Sequence, residues 1–94
     1  MTDTTNATVV FHGEDHTLGN ALRYCLARDE EVDFAGYTVP HPAESRMVVR
    51  IQTNGIPAAT ALHRAADTLE NIADDILDKF NTALNDFEED EDAF

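Results

Sequence analysis

The C-terminal third of the sequence constrains the fold most, because no proline or glycine interrupts residues 58 to 85. Apolar residues recur through this segment at alternating steps of four and three, and this seven-residue repeat predicts one long helix. At ~1.5 Å per residue, a helix of about 28 residues would be longer than a small domain can cover. We therefore expect one flank of the helix to pack on its own domain and another flank to bind a second chain. The repeat consists of Leu62, Ala66, Leu69, Ala73, Ile76, Phe80, Ala83 and Phe87.

The region before this segment begins with a predicted strand and a shorter helix. Residues 8 to 11 are four consecutive residues that favour strands. Beginning at Leu18, apolar side chains then follow the spacing i, i+3, i+4, i+7 and i+8, which predicts a helix over about 17 to 28. Asp15 and Thr17 are both candidate N-caps for it, since each offers a side-chain oxygen to the first free backbone N–H groups.

Two further segments, 32 to 39 and 46 to 53, alternate between apolar and polar residues and predict strands. The link between them is too short for a crossover helix, so we expect them to be antiparallel neighbours. The resulting order, β-α-β-β-α, predicts a single small α+β domain over residues 7 to 85. We expect a polar N-terminal end at 1 to 6 and a solvated, disordered acidic tail at 86 to 94.

Charge and cysteine content exclude several classes of function. Nineteen acidic against six basic residues give a net charge of −13, which opposes contact with a phosphate backbone, so we expect no direct nucleic-acid contact. Cys25 is the only cysteine, which rules out an internal disulfide, and its place on the apolar stripe predicts a buried thiol rather than a nucleophile. The sequence has no apolar run near 18 residues and no signal peptide, so we expect a soluble intracellular protein without membrane contact.

Candidate sites for chemistry are weak in this sequence. The histidines and carboxylates between 12 and 16, and His41 with Glu44, match no compact zinc spacing, so we interpret them as residues that cap a helix and shape a turn. Gly19 stands alone where a phosphate-binding loop needs several glycines. We expect no metal, no cofactor and no catalytic residue. A small metal-dependent enzyme that uses His16, His41 and Glu44 is one alternative, and a free-standing homodimeric binding module is another.

The segment "EDHTLGNALRY", followed by "VDFAGYTVPHPAESRMVVRIQT", spans residues 14 to 53 and resembles the small alpha-like subunit of DNA-directed RNA polymerases. Residues 19 to 23 are also similar to a motif of the bacterial alpha subunit. The resemblance implies a β-α-β-β-α domain whose helices pack against a larger alpha-like subunit. That heterodimer would be the platform on which the second-largest catalytic subunit docks, with neither catalytic residue nor metal in this chain.

Three stretches look most like the subunit that RNA polymerases I and III share. They are "NALRY" after Gly19, "PHPAES" at 40 to 45, and the turn "RIQTNG". The alternatives within the family are the RNA polymerase II subunit and its archaeal counterpart. The first assignment implies a role in transcription in the nucleus, including the nucleolus, whereas an archaeal protein would be cytoplasmic.

The resemblance also implies roles for individual side chains. On the first helix it implies a dimer core and, at Arg23, a contact with the large catalytic subunit. On the long helix, we expect the wide apolar stripe to meet the partner. The predicted partner-binding residues are Leu18, Leu22, Arg23, Cys25, Leu26, Leu62, Leu69, Ile72, Ile76 and Phe80.

Overall fold

The structure is a computed structural model that describes residues 4–92. It confirms the predicted α+β class and the order β-α-β-β-α. Predicted and observed boundaries agree within a few residues except at the end of the last helix. The elements are β1 (Asn6–His12), α1 (His16–Ala27), β2 (Val32–Thr38), β3 (Arg46–Thr53) and α2 (Ala58–Asp92).

The three strands form one antiparallel sheet in the order β1-β3-β2. Val49 of β3 lies opposite Val9 of β1 on one side and Tyr37 of β2 on the other. The predicted antiparallel pairing of β2 with β3 is therefore confirmed, and a bulge interrupts it between Val32 and Phe34. Since β3 is the central strand, its inward side chains are the most deeply covered part of the sheet.

One face of the sheet packs against both helices and forms the core. Met47, Val49 and Ile51 alternate inward from β3 and are at most 2% exposed. Where α2 crosses the sheet, it presents small side chains spaced three and four residues apart, so its backbone can approach closely. The remaining buried apolar residues are Leu22, Cys25 and Leu26 from α1 and Ala58, Ala61 and Ala65 from α2.

Asp15 is the residue that caps α1, since its Oδ1 accepts a hydrogen bond of 3.0 Å from the backbone N–H of Thr17. Asp15→Ala should lower the free energy of unfolding by about 1 kcal/mol, because this N–H group then loses its side-chain acceptor. Thr17→Ala is the matched control and should cost clearly less, as Thr17 contributes only its backbone to the cap. Thermal unfolding of the two variants checks this expectation, and equal losses would contradict it.

Helix α2 continues to Asp92, so the predicted end near residue 85 and the predicted disorder of residues 86–92 are both wrong. The segment contains no proline or glycine, glutamate favours helix, and Phe87 continues the seven-residue repeat. Every residue from 70 to 90 is exposed. At ~1.5 Å per residue, this projecting part of α2 is about 30 Å long. Residues 93–94 lie outside the described residues.

Candidate functional site

An apolar groove of about 500 Å³ runs between the two helices and is called the α1/α2 groove below. Phe11, from the end of β1, lies at one side of it, while Leu18 and Leu22 line it from α1. All three positions follow from local patterns, because Phe11 alternates inward along β1 and the two leucines are four residues apart on α1. From α2, the groove is lined by Leu62, His63, Ala66, Leu69, Glu70 and Ala73.

The groove continues onto the projecting part of α2. Four of its lining residues belong to the seven-residue repeat, and the same repeat places the next members on the same side of the helix. These are Ile76, Phe80, Ala83 and Phe87, called the distal stripe below. Ile76 is 62% exposed, Phe80 61% and Phe87 63%. A contiguous apolar surface of this extent is unusual on a monomer and is typical of an interface with another protein.

Three more apolar side chains flank the distal stripe. Ile72, Leu77 and Leu84 lie within one helical turn of it and are each exposed by more than a third. They widen the apolar surface beyond the narrow seam of a two-stranded coiled coil. The projecting helix therefore fits a partner with a broad apolar surface better than a single facing helix.

The structure places the predicted apolar residues of α1 in the core and along the groove. Leu22, Cys25 and Leu26 are 4%, 5% and 0% exposed, so all three belong to the core of this chain. The contact of Cys25 and Leu26 with a partner stays a prediction, since a helical stripe indicates burial but not which chain provides it. Leu18 and Leu22 line the groove. Arg23 is exposed and forms no ion pair within residues 4–92, and its contact with a catalytic subunit stays a prediction.

The five predicted residues of α2 all lie along one continuous surface. Leu62 and Leu69 are half-buried in the groove, whereas Ile72, Ile76 and Phe80 are exposed beyond it. Phe11 was not predicted as a site residue. Its alternation with Ala7 and Val9 indicates that it points inward, but the groove it lines forms only where α1 meets α2, and α2 is far away in the sequence.

Two of the basic residues are paired within the chain. Nη1 of Arg64 on α2 lies 3.2 Å from Oε1 of Glu31 and 3.6 Å from Oδ2 of Asp29. The hydrogen bond and charge of Glu31, followed by the charge of Asp29, hold the pKa of Arg64 above its usual value. Nζ of Lys79 lies 2.8 Å from Oδ2 of Asp75, one helical turn earlier. Both cations therefore already have carboxylate partners on this chain.

The residues of the alternative metal site do not form a ligand set. Nδ1 of His16 lies 2.9 Å from the hydroxyl of Tyr37, against which its ring packs edge to face. His41 and Glu44 are exposed in the loop between β2 and β3, where the N–H of Glu44 donates to the carbonyl of His41. In the described part of the chain, no three histidine, cysteine, aspartate or glutamate side chains are grouped to hold a metal ion.

Neither of the helices within residues 4–92 combines the length and the apolarity that a membrane span requires. Helix α2 is 35 residues long, but acidic residues interrupt its sequence throughout, as at Asp67, Glu70 and Asp74. Its apolar residues are instead concentrated on one side, which is the pattern of a protein-binding helix.

The chain is similar to a family of dimerisation domains and to named RNA polymerase subunits. A family model described as "RNA polymerase Rpb3/Rpb11 dimerisation domain" matches residues 6–79. The protein named "DNA-directed RNA polymerases I and III subunit rpc19" from Dictyostelium discoideum is 46% identical over 80 residues, which are 84% of this chain and 69% of that protein. The "DNA-directed RNA polymerases I and III subunit RPAC2" of Danio rerio is 39% identical over 87 residues, 92% of this chain and 78% of that protein.

The protein of the same name from Saccharomyces cerevisiae is 43% identical over 83 residues, which are 87% of this chain and 58% of that protein. These relatives confirm the resemblance predicted from residues 14–53. Among solved structures, DNA-directed RNA polymerase subunit L from Thermoplasma acidophilum matches with a TM-score of 0.69 over 90% of this chain and 95% of that chain. At 22% identity, that match shows the shared fold alone.

Proposed function

The chain belongs to the RNA polymerase Rpb3/Rpb11 dimerisation-domain family, and from this premise we propose that it is the non-catalytic assembly subunit that RNA polymerases I and III share. In this role it pairs with a larger alpha-like subunit. The pair forms the platform on which the second-largest catalytic subunit and other polymerase subunits assemble. The site of action is then the nucleus, and the nucleolus for RNA polymerase I.

The observation that carries this proposal is the uncovered apolar surface of the α1/α2 groove and the distal stripe. It extends from Leu18 on α1 to Phe87 near the end of α2. Burying apolar surface is worth roughly 25 cal/mol per Å² removed from water, so a partner that covers this surface gains a large driving force for association. The family is described as a dimerisation domain, and a surface of this kind is what dimerisation requires.

The charge of the chain supports a role away from nucleic acid. Acidic residues lie along α2 outside the groove, for example Asp74, Asp75 and Asp78, and the net charge is −13. Phosphate binding depends on lysine and arginine side chains that displace the counterions of the phosphates. The acidic surface along α2 does not offer such a group of basic side chains. A platform subunit holds other subunits in place and needs no contact with template or transcript.

Among the alternatives, the RNA polymerase II or archaeal counterpart is less well supported, because the curated relatives described above carry the name of the subunit of RNA polymerases I and III. A metal-dependent enzyme has no support from the placement of His16, His41 and Glu44. A homodimeric binding module would use the same apolar surface, and the oligomeric state in solution distinguishes it.

Expression of the chain without a partner should give self-association or aggregation, because the distal stripe then faces water. Co-expression with the larger alpha-like subunit should instead yield a soluble complex with one copy of each chain. Light scattering coupled to size-exclusion chromatography measures both outcomes. A stable homodimer that excludes the larger subunit would favour the binding module, and a cooperatively folding monomer would contradict an obligate partner.

A further inference from the structure

The side of the sheet that faces away from the helices has a composition unlike the rest of the chain. In β1 and β3, the residues on this side alternate with the residues that point into the core. Neither strand contains an aspartate or glutamate. The one carboxylate in β2, Asp33, lies in the bulge and accepts a hydrogen bond from Asn54. This outer sheet face consists of Asn6, Thr8, Val10, His12, Phe34, Gly36, Thr38, Arg46, Val48, Arg50 and Gln52.

Two positive charges on the outer sheet face have no carboxylate partner. Arg46 and Arg50 form no ion pair within residues 4–92, whereas Arg64 and Lys79 do. Nε of Arg46 is buried without a hydrogen-bond acceptor in the same part of the chain. In a chain with 19 acidic residues, neither of these two guanidinium groups forms an ion pair with a described carboxylate, as is also true of Arg23 and Arg28 on α1.

Apolar side chains lie between and beside these arginines. Val10 is 44% exposed and lies opposite Val48 in the centre of the face. Phe34 is 50% exposed, and its ring covers Gly36, where a Cβ atom would be only 3.1 Å from the ring Cζ. Gly36 in turn lies opposite Arg50. The tip of the phenyl ring thus lies beside Gly36, next to the strand position of an unpaired arginine.

We propose that the outer sheet face is a second docking surface, and that its occupant is a protein segment with carboxylates next to apolar side chains. Apolar contact with Val10 and Phe34 would supply burial, and carboxylates would pair with Arg46 and Arg50 in the charge-assisted geometry that guanidinium groups favour. Nucleic acid fits poorly, because two arginines cannot offset the repulsion of a chain with a net charge of −13.

This surface is independent of the one that serves dimerisation. The sheet separates it from α1 and α2, so no residue that lines the α1/α2 groove belongs to the outer sheet face. The inference goes beyond the proposed function and does not require that the two partners are polymerase subunits. Its test can therefore fail while the pairing through α2 succeeds, or the reverse.

Photo-crosslinking in cells tests the proposal directly. The full chain carries p-benzoylphenylalanine in place of Phe34, and mass spectrometry identifies the segment that becomes linked on irradiation. We expect a protein segment with aspartate or glutamate and apolar residues close to the linked position. Absence of a protein crosslink, a linked segment without carboxylates, or a crosslink to nucleic acid would each overturn the proposal.

A charge reversal on the face supplies the second measurement. Arg50→Glu should lower the crosslink yield at least about tenfold, since repulsion replaces an ion pair at the contact. Arg28→Glu on α1 changes the net charge equally and should leave the yield unaltered, because Arg28 packs on Tyr24 and not on the sheet. Recovery of the larger alpha-like subunit, measured in the same samples, should be unchanged by Arg50→Glu. Equal yields with Arg50→Glu and Arg28→Glu would overturn the role of the arginine.

Discussion

Ile76→Asp and Phe80→Asp should each weaken binding to the larger alpha-like subunit by at least about a hundredfold, which corresponds to roughly 3 kcal/mol. Burial of either apolar side chain contributes about 1.5 to 3 kcal/mol, and a carboxylate in its place must in addition lose its hydration without a partner. Both residues are more than 60% exposed in the single chain, so the substitutions should change its own folding little. Co-expression of the larger subunit with equal amounts of a tagged variant and the unmodified chain measures the relative affinity, as the ratio of the two chains recovered in the complex.

Asn85→Asp is the matched control for this pair. Asn85 is exposed on the same projecting part of α2, but the seven-residue repeat places it on the side opposite the distal stripe. The same new carboxylate there should change the affinity by less than about threefold, as exposed charges contribute under about 1 kcal/mol. Glu70, although charged, is unsuitable as a control because it lines the groove. Normal binding of the larger subunit to the Ile76 and Phe80 variants would contradict the distal stripe as the contact surface. It would favour the groove around Leu18 instead.

The fold was largely predictable from the sequence because each element carries a local pattern. The apolar spacing from Leu18 and the repeat from Leu62 indicate the two helices. The alternation in residues 46–53 also distinguishes Met47, which points into the core, from Arg46, which points away from it. The strand order was not predictable, because alternation is the same in an edge strand and in a central strand. Only long-range pairing shows that β3 lies between β1 and β2.

The candidate site was predictable only in part, since a sequence pattern shows which side chains avoid water but not what covers them. Leu26 and Ile76 occupy similar positions in their helical patterns, yet Leu26 is 0% exposed and Ile76 62% exposed. The difference arises because α1 packs along its whole length, whereas α2 extends past the edge of the sheet. The outer sheet face was also not predictable from the sequence, because its residues come from three strands that are neighbours only after folding.

The end of α2 illustrates a competition between two local signals. Six acidic residues between 86 and 92 predict a solvated tail, and negative charge at a helix C-terminus is unfavourable to the helix dipole. The absence of proline and glycine, and the position of Phe87 in the repeat, favour helix instead. The structure follows the second set of signals as far as Asp92, so the apolar stripe gains one further residue, Phe87, that a shorter helix would not present.

Gly19→Val should be strongly destabilising, lowering the free energy of unfolding by about 2 to 4 kcal/mol. Gly19 is buried where the helix crosses the sheet. A Cβ atom there would lie 2.5 Å from Cε2 of Tyr37 and 2.9 Å from Sδ of Met47. Met47 is 0% exposed, so its side chain is enclosed by the core. Displacing the Tyr37 ring would break its hydrogen bond with His16.

Thermal unfolding of the complex with the larger alpha-like subunit, at fixed chain concentration, should show a midpoint lower by about 10 °C or more. Asn20→Val introduces the same side chain one residue later in α1, at an exposed position, and should cost under about 1 kcal/mol through helix propensity alone. A second comparison isolates the cause, because Gly19→Val should cost clearly less in a Tyr37→Leu background, where the clashing ring is absent. Equal costs in both backgrounds would show that Gly19 is needed for a reason other than close packing against Tyr37.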